Sequence, residues 1–393
     1  MSSPRLGLPR LGLYIHWPFC LSKCPYCDFN SHLAKEIDTQ RWKQALSAEL
    51  RYLSEQYHAD SGTTDKAQLD TIFFGGGTPS LMPAEIMDTL IDLAGEIFTF
   101  HPEIEITAEA NPTSVETAKI ADFAQAGINR ISLGIQSLSE EGLRYLGREH
   151  SPDEALAALD IAQHRIAKVS CDLIYGLPQQ SAQDWEEQLT FMLNRGLQHL
   201  SAYQLTIEPG TVFYSRARRG EVMTADDDHV ADLYGLTETL CADSGLYAYE
   251  VSNYAQKGAE SRHNIGYWKS HDWLGIGPGA HGQYWAGSQR KHTQNRRSPS
   301  GWLDACFEQS HGCEEVSVLP AQEVFEIYWM MGLRLTSGMP LSPPYESLKD
   351  YQLNTEWVED FCAEGWLKLE NGKLRADFDG RIRLNQILEK ILS

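Results

Sequence analysis

The chain has 393 residues, of which 42% are hydrophobic and 22% charged, and its formal net charge is -21. That apolar content suffices for a sizeable core, which sets disorder aside, while the negative charge and the lack of a concentrated basic face argue against nucleic-acid binding. No run approaches the roughly eighteen uncharged apolar residues of a spanning helix, and Pro4 and Pro9 interrupt the start where a signal peptide would stay apolar. Direct membrane insertion is therefore not expected, and the expected location is the cytoplasm.

In chain order, short β-rich runs alternate with longer helical stretches, as in parallel βα units. The predicted strands are Leu11 to His16, Thr71 to Phe74, Glu103 to Ala108, Arg130 to Ile135, Val169 to Ile174 and Leu200 to Thr206. Helices are expected over Asp38 to Gln56 and Pro83 to Ile97, where good helix formers carry apolar residues near the 3.6 period. Six such units predict an α/β fold built on a partial (β/α)6 barrel of the TIM type, spanning 1–236. In that architecture the working residues sit at the C-terminal ends of the strands. Those positions here hold a cysteine cluster after strand one, Gly75-Gly76-Gly77-Thr78 after strand two, Glu109 and Asn111 after three, Gln136 after four, and Tyr175 and Gly176 after five. Asp172 falls within the fifth strand, where a buried carboxylate needs a partner.

Beyond Leu236 the alternation breaks. Residues 237–319 read as a connecting region, with Gly245 to Gly287 as ordered loop carrying short strands. From Pro320 to the end the pattern is helix (Glu323 to Leu333), helix (Asn354 to Ala363), a hairpin through Asn371-Gly372, and a last helix (Arg383 to Leu392). This predicts a small α+β, winged-helix-like domain over 320–393, suited to protein contact.

Eight cysteines are too few for a disulfide scaffold in a chain of this length. Cys171, Cys241, Cys306, Cys313 and Cys362 are scattered and read as ordinary packing residues. Cys20, Cys24 and Cys27 are spaced Cx3Cx2C, three soft ligands in one loop that favour zinc or iron–sulfur. A structural zinc site closes its tetrahedron with a fourth Cys or His, for which His16 and His32 are the candidates. Three thiolates on a [4Fe–4S] cluster instead leave one iron open to an exogenous ligand. The glycine run Gly75 to Ser80 either caps a tight strand-to-helix turn or lets backbone approach that ligand closely.

The Cx3Cx2C spacing resembles the hallmark of the radical S-adenosylmethionine superfamily. Over nearly its whole length the chain resembles the oxygen-independent coproporphyrinogen III oxidase family, and especially its haem-chaperone branch. The matching residues are Tyr14-Ile15-His16-Trp17-Pro18-Phe19-Cys20, Gly75 to Ser80, Glu109-Ala110-Asn111-Pro112, Gly134-Ile135-Gln136-Ser137, Leu146-Gly147-Arg148, Asp172 to Pro178 and Gly277-Pro278-Gly279-Ala280-His281. The resemblance implies three cofactors: a [4Fe–4S] cluster on the cysteines, S-adenosylmethionine and haem. It implies that Tyr14, Tyr26, Gly76, Gly77, Thr78 and Glu109 line the S-adenosylmethionine site, with Gln136, Arg148 and Asp172 deeper in the pocket. The segment Arg262-His263-Asn264-Ile265-Gly266-Tyr267-Trp268 looks like the HNxxYW motif of the chaperone branch, which implies His263 as a haem ligand with aromatics beside it.

Two departures set the chain apart from the oxidases that the resemblance describes. Asp28-Phe29 follows Cys27 where they place a further cysteine two residues on, and nineteen residues precede Cys20 where they have a longer arm. The expected function is thus haem carriage to acceptor haemoproteins such as respiratory enzymes, with homodimerisation left open. The alternative is radical decarboxylation of coproporphyrinogen III.

Overall fold

Strand β1 (Leu11–Trp17) shows how the fold is built, because its alternate residues serve two different cores. Leu11, Leu13, Ile15 and Trp17 are buried against helices α1 (Thr39–Ser61) and α2 (Ala84–Ile97) through Trp42, Leu46, Leu50, Ile86 and Leu90. Gly12, Tyr14 and His16 face the other way, towards Thr71, Phe73 and Gly76 on the next strand. The computed structural model describes residues 10–33, 36–62 and 66–393, so Pro4 and Pro9 lie outside them.

Next to β1 stand β2 (Gln68–Gly76), β3 (Thr99–Ala110), β4 (Arg130–Gln136), β5 (Lys168–Tyr175) and β6 (His199–Gln204), each parallel to its neighbour. The six expected strands are all present. The second and third extend well beyond 71–74 and 103–108 because their polar ends still pair in the ladder, and the sixth ends at Gln204 without reaching Thr206. The sheet continues past both edges of the six. Strand β7 (Asp272–Ile276) pairs parallel with the free side of β1 and leads into three antiparallel strands, His281–Ala286, Gln289–Asn295 and Cys313–Val318. At the far edge Asn253–Ala255 runs antiparallel to β6. The stretch read as ordered loop thus supplies a seventh parallel strand, which single-sequence pattern hides because Asp272-Trp273 and Gly275 interrupt its apolar run.

Helices start where the sequence places caps. Asp38 accepts a hydrogen bond from Arg41 N at 3.0 Å at the head of α1, and Gly62 ends that helix in the left-handed region. Deep in α1, the fully buried Glu49 accepts from Gly277 N and Gly312 N (2.7 Å each) and from Trp302 Nε1. Burial pushes this carboxyl up to about 7. Gly277 cannot be replaced freely: its φ is +95°, and a Cβ there would lie 2.3 Å from the His16 carbonyl oxygen.

The C-terminal helices Ala321–Gly332, Thr355–Ala363 and Leu384–Ile391 close over a separate apolar cluster with Leu367 and Leu374 of the hairpin. Asn371 and Gly372 both have positive φ, as a type I′ turn requires. Met339–Pro340 adds a third strand, completing the expected helix, hairpin, helix arrangement. This cluster also takes in Trp285, Val251 and Trp268, which dock it on the sheet. Among the described residues no helix is long and apolar enough to cross a membrane.

Candidate functional site

The loop after β1 is closed at its base by a short parallel pairing of Phe19–Cys20 with His32–Leu33. His16 Nε2 contacts the Asn30 carbonyl at 2.9 Å, and Asn30 Nδ2 donates to the carbonyls of Pro278 and Arg297. The Gly277 to His281 motif therefore buttresses this loop from behind. From below, Gly77 N donates to Trp17 O (2.7 Å) and Thr78 N to Phe19 O (2.8 Å). A Cβ on Gly77 would lie 2.9 Å from Phe19 O and 3.0 Å from Cys20 Sγ, so the glycine run is spaced for close approach to the cysteine loop.

Cys20, Cys24 and Cys27 are half-buried and unbridged, and all three line a cavity of about 430 Å3 at the C-terminal ends of the strands. Thr78 Oγ1 donates to Cys20 Sγ (3.3 Å) and Arg148 Nη1 to Cys24 Sγ (3.4 Å). Among the described residues no three His, Cys, Asp or Glu side chains converge to hold a metal ion. Their spacing on one loop marks the thiols as a candidate ligand set. A four-iron cluster takes its thiolates on different irons, so they need not meet at one point as the ligands of a single zinc do.

Tyr26, Gly76, Gly77, Thr78, Glu109, Gln136, Arg148 and Asp172 line the same cavity, as expected. Arg148 donates to Asn111 Oδ1 and to Gly134 O (3.0 Å). Two atoms here have no partner although buried: Gln136 Oε1, on a residue whose φ is +68°, and Arg148 Nε. An unmatched acceptor and an unmatched donor on two residues that line one cavity fit a ligand carrying both an amine and a carboxylate, as the methionine part of S-adenosylmethionine does.

Burial raises the pKa of two carboxyls of the cavity. Glu109 is pushed up to about 8 by burial and then by Asp172, although its Oε2 accepts from Gly76 N at 3.3 Å. Asp172 is pushed up to about 6, again mainly by burial, against the hydrogen bonds it accepts from Ser201 and Ser132. Together with Glu49 at about 7, these groups bind more protons folded than unfolded. Their stabilising contribution is complete below the unfolded carboxyl range and is lost as pH rises through about 6 to 8. Buried histidines such as His16, His150 and His271, held down to about 4 mainly by burial, act in the opposite sense as their unfolded imidazoles lose protons over the same interval, so the carboxyl effect is read as a difference between chains. We expect the melting temperature of wild type relative to Glu109→Gln to fall from pH 6 to 8.5; a difference that rises over this interval would contradict the Glu109 assignment.

Two expected residues lie elsewhere. Tyr14 is not among those lining the cavity: it is directed one layer below, with its hydroxyl 3.0 Å from His16 Nδ1 and its ring against Phe73. His263 is at the opposite end of the barrel. It opens the short helix α3 (Arg262–Trp268), whose first amides donate to Glu105. Its Nδ1 is 2.8 Å from Thr71 Oγ1, its Nε2 is 2.9 Å from Tyr267 Oη, and its ring stacks on Phe73 at 4.7 Å. In this conformation neither nitrogen is free for iron. Trp268 of the same motif faces the C-terminal cluster. Neither placement is visible in the motif, because both depend on which strand the side chain meets across the barrel.

Glu116 was missed. Almost fully buried, it accepts from Ser80 Oγ and from Asn111 N (2.8 Å), tying the glycine loop to the turn after β3. The signal was present as Thr113-x-x-Glu116, a helix-start pattern in which Glu116 N donates to Thr113 Oγ1.

The sequence model of the Radical SAM superfamily matches residues 14–192. The Escherichia coli heme chaperone HemW is 37% identical over 98% of this chain and 99% of its own. The mouse mitochondrial radical S-adenosyl methionine domain-containing protein 1 is 35% identical, over 99% of this chain and 89% of its own. Among solved structures, Escherichia coli coproporphyrinogen III oxidase HemN superposes with a TM-score of 0.79 over 98% of this chain and 91% of its own, at 20% identity, which shows the fold alone. The chain therefore belongs to the radical SAM superfamily and, within it, to the family formed by HemW and its vertebrate mitochondrial relatives.

Proposed function

We propose that this protein is a haem chaperone, which holds haem and hands it to acceptor haemoproteins such as respiratory enzymes. The observation that carries the reading is the match to HemW along the full length of both chains. Asp28-Phe29 in place of a further cysteine supports it against the oxidase alternative. Cys20, Cys24 and Cys27 would hold a [4Fe–4S] cluster, which when reduced supplies the electron that cleaves a bound sulfonium. Around it, Gln136 and Arg148 orient the amine and carboxylate of S-adenosylmethionine, Glu109 and Asp172 accept from its hydroxyls or amine, and the tied loops of Thr78, Asn111 and Glu116 keep that geometry rigid. We place the chain in the cytoplasm, where its eight thiols stay reduced, and leave self-association to the same samples used below.

The test is a haem titration of the anaerobically reconstituted protein, followed by the Soret band, by transfer to an apo-haemoprotein, and by sedimentation. A saturable shift that weakens in His263→Ala supports haem carriage through the α3 motif. No saturable shift, with vinyl products formed anaerobically from coproporphyrinogen III, would replace this reading with the oxidase.

A further inference from the structure

Two imidazoles meet on one face of the sheet extension beyond β1. Leu274, Ile276 and Tyr284 point into the core under α1 and α2, and Lys291 reaches Asp60 of α1 at 2.7 Å, so alternation turns Trp273, His281 and His292 to the opposite face. There His281 Nδ1 lies 3.0 Å from His292 Nε2, with the ring centres 5.2 Å apart and the planes 29° from parallel. One ring donates to the other, and in either tautomer one outer nitrogen keeps a lone pair. His281 is exposed and His292 half-buried, and His281 Nε2 has no hydrogen-bond partner among the described residues. By contrast, His16 and His263 have both ring nitrogens engaged. A ligating imidazole characteristically donates its second ring N–H to a fixed acceptor, which sets its tautomer and orientation. His292 fills that place behind His281. Burial, then His292 and Arg297, holds the His281 pKa below the usual imidazole value, so the ring is neutral near pH 7 and its outer lone pair can reach a metal.

Trp273 supplies a flat apolar neighbour. Its Nε1 donates to the His281 carbonyl at 3.2 Å, and its ring meets Tyr267 of α3 edge-on at 4.9 Å. Gly275 leaves the strip beside the pair without a side chain, and a Cβ there would lie 2.1 Å from the His281 carbonyl oxygen. An indole beside an imidazole lone pair suits a flat apolar ligand with a metal at its centre. We propose that His281, backed by His292, presents Nε2 as an axial ligand to iron and, resting on the haem reading above, that the iron is that of haem, with the macrocycle edge along Trp273. The α3 motif then reaches haem through the Tyr267 to Trp273 contact, while His263 stays bonded to Thr71 and Tyr267.

The experiment titrates ferric haem into the cluster-loaded protein, whose three thiols are then occupied, and compares wild type, His281→Ala, His292→Ala and His263→Ala. Ni2+ is titrated calorimetrically as a metal that imidazole binds without a macrocycle. His281→Ala should lose the Soret shift of imidazole-ligated iron. Removing the partner behind a ligating imidazole typically costs about 10–100-fold in metal affinity, so His292→Ala should weaken haem by that factor. Both variants should melt with wild type, since the pair is on the surface. Ni2+ binding that is lost in His281→Ala, without any haem binding by wild type, keeps the imidazole site with a free metal ion as its source while the haem reading fails. Haem bound as tightly by His281→Ala as by wild type overturns the site and leaves the haem reading standing; if that binding is lost in His263→Ala, the iron returns to the α3 motif. A wild type that takes up neither haem nor Ni2+ overturns both.

Discussion

Cys24→Ser is expected to abolish the cluster: after anaerobic reconstitution, iron and sulfide should fall from about four of each per chain to background, with loss of the broad visible absorbance. Cys24 lines the cavity and receives the Arg148 guanidinium at 3.4 Å, so replacing its sulfur removes the proposed thiolate ligand while Arg148 keeps Asn111 Oδ1 and Gly134 O as acceptors. Cys171→Ser should leave iron and sulfide unchanged, because Cys171 is fully buried in the apolar core between the sheet and its outer helices. Retention of one zinc per chain in wild type, without sulfide, would instead point to a closed tetrahedral site completed by His16 or His32. His16 argues against that outcome, since its Nε2 lies 2.9 Å from the Asn30 carbonyl and its Nδ1 lies 3.0 Å from the Tyr14 hydroxyl.

The second large effect lies at the other end of the barrel. Arg130 on β4 and Glu105 on β3 form an ion pair at 3.4 Å with side chains 2% and 1% exposed. Arg130 also donates to Ser170 Oγ and to the Ala259 carbonyl, and Glu105 accepts from the first amides of α3. Arg130→Leu would leave the buried Glu105 carboxylate with only the more distant Lys168 (3.7 Å) and the α3 amides, at a cost of up to about 3–5 kcal/mol. We expect a lower urea midpoint and a loosening of α3, detectable as faster amide exchange at His263 and Asn264. Adding Glu105→Gln should recover part of the loss, because the amide oxygen still accepts from α3 without carrying charge. An unchanged midpoint in Arg130→Leu would show that the pair does not hold the barrel floor.

What was legible locally follows from short-range chemistry. The β1 to β6 runs and the α1 cap at Asp38 appear in sequence because strand alternation and capping act over a few residues. The cysteine motif was legible for the same reason, since all three ligands sit on one loop. Glu116 carries the same kind of local signal, in the Thr113-x-x-Glu116 helix start.

By itself, then, the sequence determined the βα units, the winged-helix-like end, and the meeting of the three cysteines with most of the expected residues in one cavity, because residues after successive parallel strands must meet at one end of a barrel. Only the tertiary structure decided that β7 pairs with β1 across some 260 residues, that Tyr14 is directed below the cavity, and that His263 turns inward to Thr71 and Tyr267. Such outcomes are set by which distant groups compete for the same buried space and the same charge, and no local pattern records that competition.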